Sequence, residues 1–285
     1  MQISRLGHTA VALGLGLAMA VTTGAPASAS GTYSFAGVTD WDNDGNTDIV
    51  ARDPNGDLWL FPGESTRAPS SAKPAQIGSG WNGYTFTGLA DWDNDGNQDI
   101  IARTVSGDLL LFPGASLRGV ATTPPVQIGL GWNGYTFVGL ADWDKDGNTD
   151  IVARDLSGEL WLFPGQSIRG YSTAAPVRLG SGWNGLDFAG IADWDKDGNT
   201  DIIARGTLGE LFLFPGESTR APSTQPQVQI GTGWNGYDFA GVTDWDNDGN
   251  QDILARMTNN DLWLYPGEST RALSGQPPVQ IGTGW

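Results

Sequence analysis

Apolar residues recur along the chain in short runs that Gly, Pro, Asn and Asp interrupt. Leu58-Trp59-Leu60-Phe61 stops at Pro62-Gly63, and Leu109-Leu110-Leu111-Phe112 stops at Pro113-Gly114. Such runs suit strands, and within these segments no apolar spacing of helical period appears. From Trp81 onward the pattern reads as a series. Trp81-Asn82-Gly83 is a turn signal, Tyr84 to Ala90 a strand, and Asp91 to Asp99 an acidic loop. Asp99 to Arg103 is a second strand, Ser106-Gly107-Asp108 a tight turn, and Leu109 to Phe112 a third strand. A loop rich in Ser, Thr, Ala and Pro then leads to a short fourth strand, Val126 to Gly129. The third strand is apolar on both faces, as in Leu211-Phe212-Leu213-Phe214, so the sheet it belongs to needs cover on both sides.

The acidic loop shows that this unit repeats. Asp-Trp-Asp-x-Asp-Gly-Asn-x-Asp begins at Asp40, Asp91, Asp142, Asp193 and Asp244, always 51 residues apart. The span from Gly31 to Trp285 is 255 residues, five such units without an insertion. The blades are expected over approximately 31–81, 82–132, 133–183, 184–234 and 235–285, with 30–285 as one domain. Four short antiparallel strands per unit, covered by neighbouring units, predict an all-β fold: a five-bladed β-propeller. The Gly and Ala of the first strand suit a crowded central axis. A solenoid would need atypical polar caps, whereas here the first and last copies look like the middle ones.

Composition narrows the chemistry. Residues 1–29 read as a secretory signal peptide, with Arg5, the apolar run Thr9 to Val21, and a small-x-small cleavage site at Ala27-Ser28-Ala29. The run is short for a bilayer span, and no second one follows, so the expected location is extracellular with no membrane span. The chain has no Cys, and its single His, His8, would leave with the signal. Disulfides, thiol nucleophiles, Ser-His-Asp hydrolysis and His-ligated metals are then excluded from the mature protein. The formal charge of −17 argues against nucleic acid as a partner.

Four aspartates within nine residues repel one another unless a cation sits among them. Positions 1, 3, 5 and 9 are expected to converge, Gly at position 6 permits the bend, and the backbone carbonyl of position 7 adds an oxygen. The candidate ligands are Asp40, Asp42, Asp44, Asn46 and Asp48 in the first copy, and Asp91, Asp93, Asp95, Asn97 and Asp99 in the second. The third and fourth supply Asp142, Asp144, Asp146, Asn148 and Asp150, then Asp193, Asp195, Asp197, Asn199 and Asp201. The fifth supplies Asp244, Asp246, Asp248, Asn250 and Asp252. All-oxygen ligation selects Ca²⁺ over zinc or copper, about five ions in all. An EF-hand is excluded, because position 12 is Ala in every copy (Ala51, Ala102, Ala153, Ala204, Ala255) and strands flank the loop. The loops hold 20 of the 32 acidic residues, and five Ca²⁺ would bring the mature charge from −18 to −8. Calcium is therefore expected to be structural.

This motif, with its aromatic at position 2 and the following Asp-Ile-Val/Ile-Ala strand, resembles FG-GAP repeats, the calcium-binding blades of integrin α chains and of many secreted bacterial proteins. The resemblance covers all five copies and implies that Asp40, Asp42, Asp44 and Asp48 and their equivalents are ligands. Integrin-type propellers have seven blades, against five here. A second resemblance is to five-bladed tachylectin-type lectins, through Ile128-Gly129-Leu130-Gly131-Trp132 with Phe137. Those lectins bind N-acetylated sugars between blades and lack the acidic loop.

Trp41, Trp92, Trp143, Trp194 and Trp245 at loop position 2 are expected to pack between blades. Trp81, Trp132, Trp183 and Trp234, with Asn82, Asn133, Asn184 and Asn235, are read as more open, an aromatic face beside an amide suited to stacking on a sugar. Arg67, Arg118, Arg169, Arg220 and Arg271 read as rim charges or salt-bridge partners, and Arg52, Arg103, Arg154, Arg205 and Arg256 as neutralisers of nearby carboxylates. A glycosidase would need an asymmetric carboxylate pair. The only acids placed to supply one outside the repeat, Asp53, Asp155, Asp187 and Asp238, are scattered, so no enzyme and no catalytic residue are expected. Three function classes stay open: a multivalent lectin-like protein binding glycans or cell-surface polymers, a module binding extracellular protein, and a propeller glycosidase. A monomer is expected.

Overall fold

The computed structural model describes residues 32–272 and 274–285, so the expected signal peptide lies outside the described residues. Twenty strands form five separate four-stranded antiparallel sheets, each in simple sequence order. The first sheet holds β1 to β4 (Ser34–Thr39, Asp48–Arg52, Leu58–Phe61, Ala75–Gly78) and the second β5 to β8 (Thr85–Ala90, Asp99–Arg103, Leu109–Phe112, Val126–Gly129). The third holds β9 to β12 (Thr136–Ala141, Asp150–Arg154, Glu159–Phe163, Val177–Ser181) and the fourth β13 to β16 (Asp187–Ala192, Asp201–Arg205, Leu211–Phe214, Val228–Gly231). The last holds β17 to β20 (Asp238–Thr243, Asp252–Arg256, Asp261–Tyr265, Val279–Thr283). Among the described residues no helix is long and apolar enough to cross a membrane.

The innermost strands close the ring. β1 contacts β5 and β17, and the other inner strands contact their neighbours in the same way, so the fold is a five-bladed β-propeller. Each inner strand carries a bulge beside a glycine, as between Phe35 and Gly37. A Cβ on Gly37 would lie 3.1 Å from the Leu89 side chain of the next blade, and one on Gly241 would lie 2.6 Å from Val38. With φ of +150° and +155°, both positions also take a backbone conformation that only glycine adopts readily. The last blade therefore meets the first through the same glycine-to-aliphatic contact that joins the others.

Burial follows the expectation drawn from the doubly apolar third strand. The core is divided into five clusters, one at each blade interface rather than within a blade. Val50, Leu58 and Leu60 of the first blade, for example, pack with Ile100 and Ala102 of the second. Each repeat ends on a tryptophan that belongs structurally to the following blade. Trp81 lies 4.4 Å from Phe112 and 5.6 Å from Phe86, ring centre to ring centre. Trp285 repeats this across the chain closure, 4.5 Å from Phe61 and 5.7 Å from Phe35.

Arg52 and its equivalents serve first a role the sequence does not suggest, and only two of them the expected neutralisation of carboxylates. The Arg52 guanidinium donates to the backbone carbonyls of Trp81 (2.7 Å) and Tyr84 (2.9 Å) and lies over the Phe86 ring. It thereby staples the connection into the next blade. Only Arg205 and Arg256 also pair with carboxylates, those of Asp187 and Asp238.

Candidate functional site

The acidic loops cluster on one face, joining each inner strand to the second strand of its blade. In the first loop Gly45, at φ +87°, makes the bend. Asp40 accepts from the backbone N–H groups of Asp44 (3.0 Å) and Gly45 (2.9 Å), and Asp44 accepts from that of Asn46 (2.9 Å). Asp48 is fully buried and receives the amides of Trp41 (3.0 Å) and Gly63 (2.9 Å), one on each oxygen. Burial pushes its pKa up to about 7, with the nearby Asp42 and Asp44 charges adding and the two amides opposing. Asp150, Asp201 and Asp252 are likewise raised to about 7 and Asp99 to about 6, burial again being the largest cause. A buried position 9 is thus the anchor of each loop and the group most in need of compensating positive charge.

Three carboxylates per blade bring oxygens within 4.8 Å of one another: positions 1, 3 and 9 in the first two blades, and 1, 3 and 5 in the other three. Within each cluster one buried carboxylate oxygen has no hydrogen-bond partner. It is Oδ1 of Asp42, Asp93 and Asp144 in the first three blades, and Oδ1 of Asp193 and Asp244 in the last two. The position-3 side chains are only 5% exposed. An unsatisfied anionic oxygen at such depth is costly in water-free surroundings, and a hard cation is the partner its chemistry suits. The donor set present fits a divalent ion. The position-7 side chain is already engaged, since Asn46 Oδ1 accepts from Ser65 (2.6 Å) and Nδ2 donates to Asp44 (2.8 Å). Its backbone carbonyl is what it has to offer.

Each loop also receives a guanidinium from the blade that follows. Arg118 pairs with Asp42 through Nε and with Asp44 through Nη2 (2.6 Å), and Arg67 closes the circle by pairing with Asp246 and Asp248 of the last blade. The sequence reading as salt-bridge partners holds, with the addition that all five pairs cross a blade interface. They take Oδ2 of position 3, and in the first three blades they leave its Oδ1 without a partner.

A model of the FG-GAP-like repeat matches residues 40–102 and 142–204, segments that contain four of the five acidic loops. The chain is a five-bladed propeller that carries FG-GAP-like repeats. No curated protein is detectably similar to it in sequence. Among solved structures, two crystals of BBS1N in complex with ARL6DN are similar to this propeller. The mercury-soaked one is 12% identical, with 82% of this chain and 78% of that chain covered at a TM-score of 0.41. The lead-soaked one is 11% identical, with 84% and 80% covered at 0.38.

The propeller uses its tryptophans differently from the sequence expectation. Trp41 and its four equivalents are buried as expected, and the Trp41 indole N–H donates to the Leu117 carbonyl of the next blade (3.1 Å). Trp81, Trp132, Trp183 and Trp234 are not open stacking faces. Trp81, Trp132 and Trp234 are 7–8% exposed, and Trp183, half-buried, stacks against Phe214 at 4.6 Å. Their faces are consumed by the aromatics of the following blade, which sequence spacing within one repeat does not show. The amides are engaged too: Asn82 donates to the Asn55 carbonyl (3.1 Å) and Asn184 to that of Ser157 (3.3 Å), bracing the turn between the second and third strands. Asn133 and Asn235 stand against the same turn at Gly107 and Gly209.

What remains open at these places is the cleft beside each tryptophan. Clefts of about 530, 530 and 300 Å³ lie at three of the blade interfaces. Each joins the Gly-x-Gly-Trp end of one blade (Gly282–Trp285, Gly180–Trp183, Gly231–Trp234) to a Pro-containing loop, such as Pro69 to Pro74 or Ala221 to Gln227. The residue between the two glycines, Ser181, Thr232 or Thr283, is exposed at the rim.

The four acids outside the repeat are each explained locally. Asp53 accepts from the backbone of Asn55 and Asp57 (2.9 Å each) and from the Trp59 indole (3.3 Å), and Asp155 does the same for Ser157, Glu159 and Trp161. Asp187 and Asp238 hold Arg205 and Arg256. The last blade breaks the first rule: it has the tryptophan, Trp263, but Met257 where Asp should stand, and the Trp263 indole N–H is buried without a partner. Met257→Asp is expected to raise stability by about 1 kcal/mol, the usual worth of a recovered hydrogen bond. Equilibrium urea unfolding of the two proteins checks it, and an unchanged or lowered midpoint refutes it.

Proposed function

We propose that this protein is a secreted calcium-binding propeller that recognises glycans multivalently through the clefts between its blades. The FG-GAP fold itself suggests a binding module of adhesion type. The observation that carries the calcium reading is the buried, unpartnered carboxylate oxygen in each loop. Asp40, Asp42, Asp44, the Asn46 carbonyl and Asp48, with their equivalents, would hold the ion, which would supply positive charge where burial has raised it to greatest value. Support for glycan binding comes from the clefts, whose tryptophan edges, prolines and glycine backbone groups offer apolar surface with a few polar contacts. Recurrence around a ring favours avidity, in which weak single sites combine on a polymer or decorated surface. Binding without catalysis fits the four non-repeated acids, each already committed to a turn or an arginine. The second reading, binding of an extracellular protein, is favoured by the fold family rather than by the clefts.

A glycan array tests the proposal. The triple variant Ser181→Arg, Thr232→Arg, Thr283→Arg places a long side chain at three cleft rims without disturbing the buried tryptophans. Glycan binding that is present in the parent and falls at least tenfold in this variant, at unchanged melting temperature, supports the reading. No glycan binding by the parent, or equal binding by the variant, overturns it and leaves the protein-binding reading.

A further inference from the structure

The five acidic loops repeat in sequence at every position but two, and the structure shows that one of these differences reaches the neighbouring loop. Position 4 is Asn in the first, second and fifth loops (Asn43, Asn94, Asn247) and Lys in the third and fourth (Lys145, Lys196). All five adopt a left-handed backbone, with φ between +55° and +60°. Their side chains all extend to the loop of the following blade. Asn43 donates to the Gly96 carbonyl (3.1 Å) and Ser116 (2.7 Å), and Asn94 and Asn247 repeat these contacts with the third and first blades. The lysines do something else. Lys145 Nζ lies 3.1 Å from Asn199 Oδ1, and Lys196 Nζ lies 3.1 Å from Asn250 Oδ1. Asn199 and Asn250 are the position-7 residues of the fourth and fifth loops, those whose carbonyl faces the cation in the calcium reading.

The fourth and fifth loops are also where the carboxylates are arranged differently. In the first three, the position-5 amide donates to position 1, and the position-3 Oδ1 is left without a partner. In the last two, that amide turns to position 3 (Asp197 to Asp195, 3.0 Å; Asp248 to Asp246, 3.1 Å), and the unpartnered oxygen is on position 1. Every loop has one arginine from the blade after it, but only these two have an ammonium from the blade before it.

We propose that the loops bind divalent cations in two classes, three tight sites in the first three blades and two weaker sites in the fourth and fifth, and that Lys145 and Lys196 set the difference. The inference rests on the calcium reading above. Like charge is the cause: an ammonium several ångströms from a divalent ion in partly solvated surroundings weakens its binding by roughly tenfold. Lys145 acts on the fourth site and Lys196 on the fifth, each across the blade interface, where its ammonium meets the position-7 residue.

Calorimetric titration of the chelator-stripped protein with calcium chloride decides it. The parent should take up three equivalents tightly and two about tenfold more weakly. Lys145→Asn should move one equivalent into the tight class, and Lys145→Asn with Lys196→Asn should merge all five. Asn already occupies this left-handed position in three loops and tolerates it better than Lys, so the variants should fold. Lys73→Asn, which removes a lysine from the loop before β4, should leave both classes unchanged. Five equivalents in one class in the parent, or two classes that survive in the double variant, would overturn this proposal while leaving the calcium reading intact. Absence of both binding heat and thermal stabilisation by calcium would sink the two together.

Discussion

Chelation of divalent ions is expected to lower the melting temperature by more than about 10 °C, and calcium to restore it. A ligand present at a hundredfold excess over its Kd stabilises by about 2.7 kcal/mol per site, and about 1 kcal/mol shifts a domain of this size by roughly 2–4 °C, so even one occupied site is visible. Magnesium should restore much less, because it demands near-octahedral geometry and dehydrates reluctantly. Metal-free protein should also lose stability as pH rises. Asp48, Asp150, Asp201 and Asp252 are raised to about 7 in the folded state, well above the value of about 3.9 in an unfolded chain. A group shifted this way contributes stability below its unfolded pKa and loses it as pH climbs through the folded one. Calcium should flatten that slope. Scanning calorimetry at pH 5, 6.5 and 8, with chelator and with calcium, makes the comparison. Superimposable curves in chelator and calcium at pH 8 would refute a structural role for the ion.

Trp285→Ala is expected to cost about 3–5 kcal/mol, the range for removing a buried aromatic. The residue lies 8% exposed against Tyr33, Phe35 and Phe61, at the end of the chain but in the first blade's core. If the ring is closed, this joint is equivalent to the others, and Trp132→Ala should cost the same within the scatter of such sites. Paired urea denaturation curves test this. A loss below about 1 kcal/mol for Trp285→Ala beside a large loss for Trp132→Ala would mean that the ends are not joined as described.

Local signals carried much of the architecture. Asp99–Arg103, Leu109–Phe112 and Val126–Gly129 were readable residue by residue, because Pro-Gly and Gly-Asp turns mark where each strand stops, and those are properties of adjacent residues. The acidic loop was equally readable, since its bend and its carboxylates lie within nine residues. The partners of that loop were not. Arg118 reaches Asp42 across 76 residues of sequence, and Lys145 reaches Asn199 across 54. Recurrence of an arginine at the same phase in all five copies was the available signal, and it pointed to a rim charge or salt-bridge partner without saying which carboxylate it meets.

The tryptophans before Asn-Gly show where the division lies. By itself the 51-residue period determined the number of blades, their strands and the place of every acidic loop, because each follows from turn chemistry and alternation inside one unit. Whether Trp81 faces solvent or a neighbour depends on Phe86 and Phe112, which belong to the next unit and meet it only when blades stack. The same holds for the buried carboxylate oxygens and the inter-blade clefts. Only the tertiary structure decided these, because burial and charge pairing are set by what stands across an interface, and a repeat unit carries no record of which of its own copies will face it.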